Sequence, residues 1–512
     1  MKEQYAILAL FWFSATGAPP KGSHMKGEML PFVPEFNGSL RIEARSDRLT
    51  SDAGVLALRE IFDRLDMSSW LKLHLNDRRK QDAITYTQIE LVRTAVLLLA
   101  LGYRDHDDAD ALREEAAFRL AVSDRRGIEP LRKVNHPDGE APARNPLEPE
   151  HLASQPTLSR LTAMLAEDGN RPALHEAIFE TAARRMEAEG RDRSRLLMID
   201  VDSLPVAVHG HQPEAEYNGH YREIIYHPLV ASVAETGDIL DVELRHGRAH
   251  TAEKAMDFIL PLVERAEGRI CREAGVRVDA GFPEERTLGP LEERGTFYVA
   301  RVRNNAVLDR MAEPLLRRPP GRRPKEPRTW FHECKYQAGS WSSSRRVVLV
   351  VLERPGDLFL NHFFLITNWT PEQISPSSLL DLYRERGTAE GHQGELMSVL
   401  APALSSTPRP KSIYAGKVPE REYPSVDAFA VNEVRFLLNA IAYNIMNAGR
   451  VLIARATGEG WGLGRFRERI LKVAARVIVH GQRATFAIGR EVAPLWTMLW
   501  SAIGGLRWVE TG

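Results

Sequence analysis

The sequence predicts an α/β protein: a mixed β-sheet core with a β-rich insertion, flanked by helical regions on its N- and C-terminal sides. Three observations lead there. Residues 50–122 and those after Ser377 carry apolar side chains at helical spacing. From Leu196 the texture changes to short apolar runs bounded by turn residues, three in succession and then alternating with helices. Finally, 512 residues with 43% hydrophobic content suffice to bury a core in each of two or three domains.

Residues 1–28 stand outside the expected fold. Lys2, the apolar stretch 5–13 and the small residues 14–18 have the outline of a signal peptide. That apolar part is short and the chain has only 2 cysteines, so an upstream start is preferred, with Met25 or Met29 as the true beginning.

Residues 29–190 read as a helical region. Ser51-Asp52 offers a cap before Val55, Leu56, Leu58, Ile61, Phe62 and Leu65, which recur at helical spacing. Further helices are expected near 88–101 and 108–121. Residues 125–156 are rich in Pro, Gly and Asn and form a loop, after which Pro156 opens another helix.

The core is expected over 191–305. Leu196–Asp202 is a strand, followed by strands near 226–234 and 239–246 joined at Glu235-Thr236-Gly237-Asp238. Then come a helix near 252–267, a strand at 276–279, a helix near 284–294 and a strand at 296–302. Three antiparallel strands continuing into two parallel ones through helical crossovers are the order of an RNase H-like core. Pro319, Pro320, Pro324 and Pro327 mark a loop. The strands that follow, near 346–352 and 363–367, make a β-rich insertion of 306–375, although some can instead belong to the core sheet. Residues 376–450 complete the core, and 451–512 are expected to be a helical C-terminal region.

Composition excludes little. Lys and Arg number 68 against 69 Asp and Glu, so net charge names no partner. The stretch 301–346 is different, with 12 basic residues, among them Arg301 and Arg303, against 4 acidic ones. Such a patch in a neutral protein fits phosphate. The two cysteines, Cys271 and Cys334, suit a reduced cytoplasm. No apolar run approaches the roughly 18 residues that span a membrane. Six histidines, His209, His211, His220, His227, His246 and His250, show no H-E-x-x-H or Cys-His spacing, which disfavours a zinc hydrolase.

Three acids stand at the ends of core elements: Asp202 after the first strand, Asp279 after the fourth, and Glu390 on a downstream helix. Hard divalent cations take carboxylate oxygens and leave positions for water and phosphate. Two such ions about 3.5–4 Å apart activate the attacking oxygen and stabilise the leaving one in phosphodiester chemistry. Among 69 acids the bare triple is unspecific. Its contexts are more telling. Asp279 opens Asp279-Ala280-Gly281-Phe282, and Tyr383, Arg386 and Glu390 step by three and four along one helical face. Asp200 and Asp202 share a strand face, so either can be the metal ligand.

These contexts resemble the DDE insertion-sequence transposases. Asp279-Ala280-Gly281-Phe282 matches their D-[AS]-G-[FY] signature, and Tyr383, Arg386 and Glu390 match Y-x-x-R-x-x-x-E. Asp200-Val201-Asp202-Ser203 resembles the D-x-D-[ST] of a branch distantly similar to the piggyBac elements. Gly210-His211-Gln212, Tyr226-His227-Pro228-Leu229, Arg301-Val302-Arg303-Asn304-Asn305 and Gly339-Ser340-Trp341 match in order, so the likeness runs from about Ser51 to about Arg450.

The resemblance implies a DNA transposase whose Asp202, Asp279 and Glu390 hold Mg²⁺ or Mn²⁺, two ions in all. Asp202 is preferred over Asp200 because Ser203 follows it as in the family. Tyr383 and Arg386 would hold phosphates beside the cut; Tyr383 packing and Arg386 pairing with a carboxylate are the plain alternatives. Trp341, with Trp330 as second candidate, would stack on a flipped base of a DNA hairpin, or else pack under its own sheet. Residues 29–190 would bind DNA ends, and a dimer or larger synaptic complex would join two ends to target DNA. A nuclease that does not join and a decayed DNA-binding relic are the competing expectations. The second draws on Met397, where the family often has Lys seven residues after the Glu.

Overall fold

The computed structural model describes residues 33–43, 47–132, 151–167, 169–208, 210, 212–318, 320, 325–406 and 427–508. The leader, His209, His211, Pro319, Arg322, Arg323 and Pro324 lie outside them. The chain divides into two units, 1–48 and 49–512. In the first, residues 34–40 make consecutive turns, with the Asn37 N–H on the Pro34 carbonyl and the Leu40 N–H on that of Asn37.

The second unit is built on an eight-stranded sheet. Its strands are β1 (Leu197–Ser203), β2 (Leu229–Val233), β3 (Ile239–Glu243), β4 (Ala274–Val278), β5 (Phe297–Val302), β6 (Arg328–Tyr336), β7 (Arg345–Glu353) and β8 (Asn361–Thr367). They lie side by side as β6-β7-β8-β5-β4-β1-β2-β3. β1, β2 and β3 are antiparallel, and β4 and β5 run parallel to β1. That half is the RNase H-like order, and each parallel step is made by a helical crossover. β8, β7 and β6 then continue outward from β5, all antiparallel. The β-rich segment is therefore an extension of the core sheet and not a separate layer.

Side chains alternate across the sheet with period two. Leu197, Ile199 and Val201 of β1 join the cluster packed under α7 (Ala255–Arg269) and α8 (Glu285–Arg294). Met198 joins the opposite cluster, with Leu379 and Leu380 of α9 (Pro376–Arg384). Both faces are thus covered, which is why β1 and β7 read as continuous apolar runs. Asp200 and Asp202 share the face of Met198 and α9.

Helices precede and follow the sheet. Among those before it are α1 (Val55–Arg64), α2 (Met67–His74), α3 (Gln88–Ala100), α4 (Ala116–Val122), α5 (Gln155–Leu165) and α6 (Asn170–Ala188). α3 starts with a capping box in which Thr87 and Glu90 satisfy each other's backbone N–H groups. The helix expected over 108–121 is broken into Asp108–Ala111 and α4. After α9 come α10 (Arg386–Glu395), α11 (Ala428–Thr457) and α12 (Ala493–Gly504).

α11 is long and apolar enough to cross a membrane, yet 94% of its most apolar window is buried inside the protein. It is a core helix. Asn444 on it accepts from the Ile239 N–H at 2.8 Å and donates to the Ile239 carbonyl at 2.8 Å. The backbone N–H and C=O of Ile239, at the start of the edge strand β3, are thereby satisfied.

Two further expectations need correction. The strand expected over 226–234 is two, because Pro228 cannot donate to a ladder. Glu223–Tyr226 pairs with Val206–Ala207 and Glu216–Asn218 in a small sheet of its own, and β2 starts at Leu229. The C-terminal region also holds a β-hairpin, Ala475–His480 with Arg483–Ile488.

Candidate active site

β1 and β4 are parallel neighbours, so their C-terminal ends emerge side by side. Asp202 is the last residue but one of β1, and Asp279 directly follows β4. One Asp202 oxygen accepts the Ser203 N–H at 2.9 Å. The Asp279 carboxylate accepts the Gly281 N–H at 2.7 Å. A Cβ at Gly281 would lie 3.0 Å from that oxygen and 3.0 Å from the Thr251 methyl group, so the turn that holds Asp279 leaves little room for a side chain there. Phe282 is fully buried in the core and anchors the far side of the turn.

The third acid arrives from α10. The expected single helix is two, parted at Glu385, which keeps right-handed backbone angles. Tyr383 ends in the last turn of α9, half-buried against its apolar cluster, and Arg386 opens α10 one turn before Glu390. The Arg386 guanidinium donates to Asp202 Oδ2 at 2.5 Å and to Glu390 Oε1. The plain alternative for Arg386, pairing with a carboxylate, is therefore what this structure contains. As placed, the three acids form no closed metal cage, and among the described residues no group of three His, Cys, Asp or Glu does.

Electrostatics tie the cluster together. Burial pushes the Asp202 carboxyl up to about 6; Arg386 opposes this, while the charges of Asp279 and Glu390 add to it. Burial also raises the Tyr383 phenol, which Arg386 and Arg301 pull down and Asp279 and Glu390 push up. Arg301 is thus within electrostatic reach, exposed on β5 with its guanidinium 5.2 Å from the Phe363 ring. Arg303 follows two residues on, exposed just past the strand.

Asp200 is engaged elsewhere. Its register partner on β4 is Arg277, which donates to it through Nε at 2.5 Å and Nη2 at 2.7 Å. Arg277 also donates to the Leu382 carbonyl, so one buried side chain docks α9 onto the sheet and positions Tyr383 and Arg386. The signal for it was a lone Arg within the apolar run Val276-Arg277-Val278. Tyr221 was not foreseen either. Its phenol is raised by burial and by the charges of Asp202 and Asp279, and its ring packs edge-on to His227.

Trp341 sits where its packing alternative puts it. The side chain is 6% exposed within the core, edge-on to Tyr336 and under the Arg345 guanidinium. In this arrangement Tyr336 and Arg345 cover the ring. Trp330 is half-buried against the same cluster. Arg345 pairs with Glu285 and Glu292, Arg346 with Glu333, and Arg318 with Glu353, so part of the basic stretch is consumed internally. Met397 lies in a π-helical turn, 396–400, and packs against the large helical core. Of the described histidines, His227 is buried with Nδ1 2.8 Å from the Ala249 carbonyl, and His246 stands between Glu216 and Glu253.

A family model described as transposase DDE domain group 1 matches residues 32–400. The chain belongs to that family. In this transposase the acids Asp202, Asp279 and Glu390 stand at the ends of β1 and β4 and on α10. No curated protein matches it. Among solved structures, a piggyBac transposase synaptic complex with hairpin DNA is 13% identical, with 84% of this transposase and 81% of that chain covered at a TM-score of 0.38.

Proposed function

We propose that this transposase cuts the phosphodiester at the ends of an insertion sequence, freeing a 3′-OH, and joins that 3′-OH to target DNA. The observation that carries the proposal is the convergence of Asp202, Asp279 and Glu390 on the ends of β1 and β4, with Arg386 in their midst. The donor set is of hard oxygens, and the charges of Asp279 and Glu390 add to the raised proton affinity of Asp202, which is the environment a divalent cation relieves. Asp202, Asp279 and Glu390 would hold Mg²⁺ or Mn²⁺, two ions in the reading preferred here. When bound, the metal supplies activation of the attacking oxygen and stabilisation of the leaving one.

The remaining roles belong to the chain's own residues. Arg277 fixes α9 against β4 and so sets the position of Tyr383 and Arg386. The Arg386 fork and the Tyr383 hydroxyl suit phosphate oxygens on either side of the cut. Arg301 and Arg303 add positive charge at the C-terminal end of β5, where the DNA backbone would run. Thr251 and Gly281 keep the Asp279 turn tight. The helical region 29–190 would contact the element ends, and two copies would be needed to bring two ends together in the cytoplasm.

The test uses a labelled donor end and a target plasmid with purified protein. Cleavage and strand transfer should both require Mg²⁺ or Mn²⁺ and vanish in Asp202→Ala and Asp279→Ala. Cleavage without joining would replace this reading with that of a nuclease. Activity that survives either substitution would remove the acids from the chemistry.

A further inference from the structure

Arg386 occupies the middle of the acid cluster, and that position has a consequence for metal binding. Its two terminal nitrogens go to Asp202 Oδ2, at 2.5 Å, and to Glu390 Oε1. The side chain is 14% exposed, and those of Asp202 and Glu390 are 15% and 58% exposed. Two of the three acids are therefore neutralised by one guanidinium through charge-assisted hydrogen bonds. Asp279 is satisfied differently, by the backbone N–H of Gly281.

A divalent cation would need the same two oxygens. Of the described arginines nearby, Arg277 is committed to Asp200 and to the Leu382 carbonyl, and Arg301 stands exposed on β5. Arg386 is also the first residue of α10, directly after the turn at Glu385, so its release strands no buried partner except the carboxylates it leaves.

We infer that Arg386 is an exchanging counter-ion: it neutralises Asp202 and Glu390 in the metal-free protein, leaves when a divalent cation takes their oxygens, and then binds a DNA phosphate. The inference rests on the reading given under Proposed function. Metal and DNA are then coupled, because each favours the state in which Arg386 has left the acids. A fixed phosphate ligand would show no such coupling.

Mn²⁺ binding to the full chain at pH 8, followed by the electron paramagnetic resonance of the free ion, tests the first half. Arg386→Gln should bind Mn²⁺ about tenfold more tightly than the unaltered chain, with Arg386→Lys between them and Asp202→Asn abolishing binding. The second half is read from the salt dependence of binding to an element end, with Ca²⁺ present or absent. Ca²⁺ should steepen the log–log slope of the unaltered chain by about 0.9, one phosphate contact, and leave that of Arg386→Gln unchanged. Mere repulsion of Mn²⁺ by a fixed Arg386 would give the first result without the second and overturn exchange. Equal or weaker Mn²⁺ binding by Arg386→Gln, with Asp202→Asn still abolishing it, would overturn the inference and leave the metal site standing. No Mn²⁺ binding by any of the proteins would overturn both.

Discussion

Asp200 and Asp202 lie two residues apart on one strand face, and each meets an arginine, yet the two pairs belong to different regions. Asp200–Arg277 is sealed inside the sheet–helix interface, with side-chain exposures of 3% and 0%. Its register is fixed by strand pairing, and its remaining donor holds the end of α9. Asp202–Arg386 stands at the open end of the same strand, shares its guanidinium with the exposed Glu390, and has Asp279 beside it. A sealed ion pair has nothing to exchange with, so it fixes geometry. An open one with surplus acid is, on the inference above, able to trade its arginine for a metal. Same chemistry, two uses, separated by a 7 Å step along a strand at about 3.3–3.4 Å per residue.

The comparison is broken most directly at its open end. Asp202→Asn and Asp279→Asn should each lower end cleavage about 10⁴-fold, which is about 5.5 kcal/mol of barrier. Their urea midpoints should stay near that of the unaltered chain. A second measurement attacks the sealed end. Arg277→Ala leaves Asp200 buried without a partner and should cost about 3–5 kcal/mol of folding stability. Its activity should fall too, because α9 loses its tether. If Arg277→Ala unfolded no more easily than Asp202→Asn, the division between the two pairs would be wrong. Trp341→Ala comes next, with a loss of about 3 kcal/mol from a vacated core site. Since its ring is buried, DNA-end cleavage and hairpin yield, measured where the protein remains folded, should not change.

How much of this was legible in the sequence depends on whether the cause was local. β1 and the two motifs around Asp279 and Arg386 were readable because an apolar run, a glycine turn and a three–four spacing are local facts. Strand periodicity alone did not separate Asp200 from Asp202, since both share one face, and the preference for Asp202 came from the resemblance; that Arg277 on the neighbouring strand engages Asp200 is a tertiary fact. The extension β6–β8 was ambiguous for a related reason: Arg346–Leu352, covered on both faces, reads alike in a separate layer or in the main sheet. The C-terminal hairpin did leave a trace, Gly481-Gln482 between alternating Val477, Val479 and Phe486, Ile488, with Gly481 at φ 60°. Its strands are largely exposed, so no apolar run drew attention to them. Trp341 illustrates the limit. An aromatic in a turn looks available until the tertiary contacts with Tyr336 and Arg345 are known.

A second ion-pair cluster, away from the acids, sharpens the comparison through pH. His175 on α6 has Nδ1 2.7 Å from Asp241 Oδ1 on β3 and Nε2 3.6 Å from Glu433 Oε1 on α11. Arg265 faces Asp241 and Arg171 faces Glu433, and Glu243 is close enough to sense His175. Burial works against the charged imidazole, but hydrogen bonds to the two carboxylates win and raise its pKa from 6.5 to about 9. Below the unfolded value, His175 is protonated in both states and its contribution is complete. Between 6.5 and about 9 only the folded protein keeps the proton, so stability falls as pH rises and is lost above the folded pKa. The span corresponds to at most about 3 kcal/mol. Urea unfolding of the unaltered chain should therefore weaken from pH 6.5 to 9.5, while His175→Gln should start lower and lack that decline. Identical slopes for the two proteins would mean that His175 is not the proton-binding member of this cluster. Metal should leave the decline untouched, because the cluster ties α6, β3 and α11 together and has no share in the acids at the end of β1.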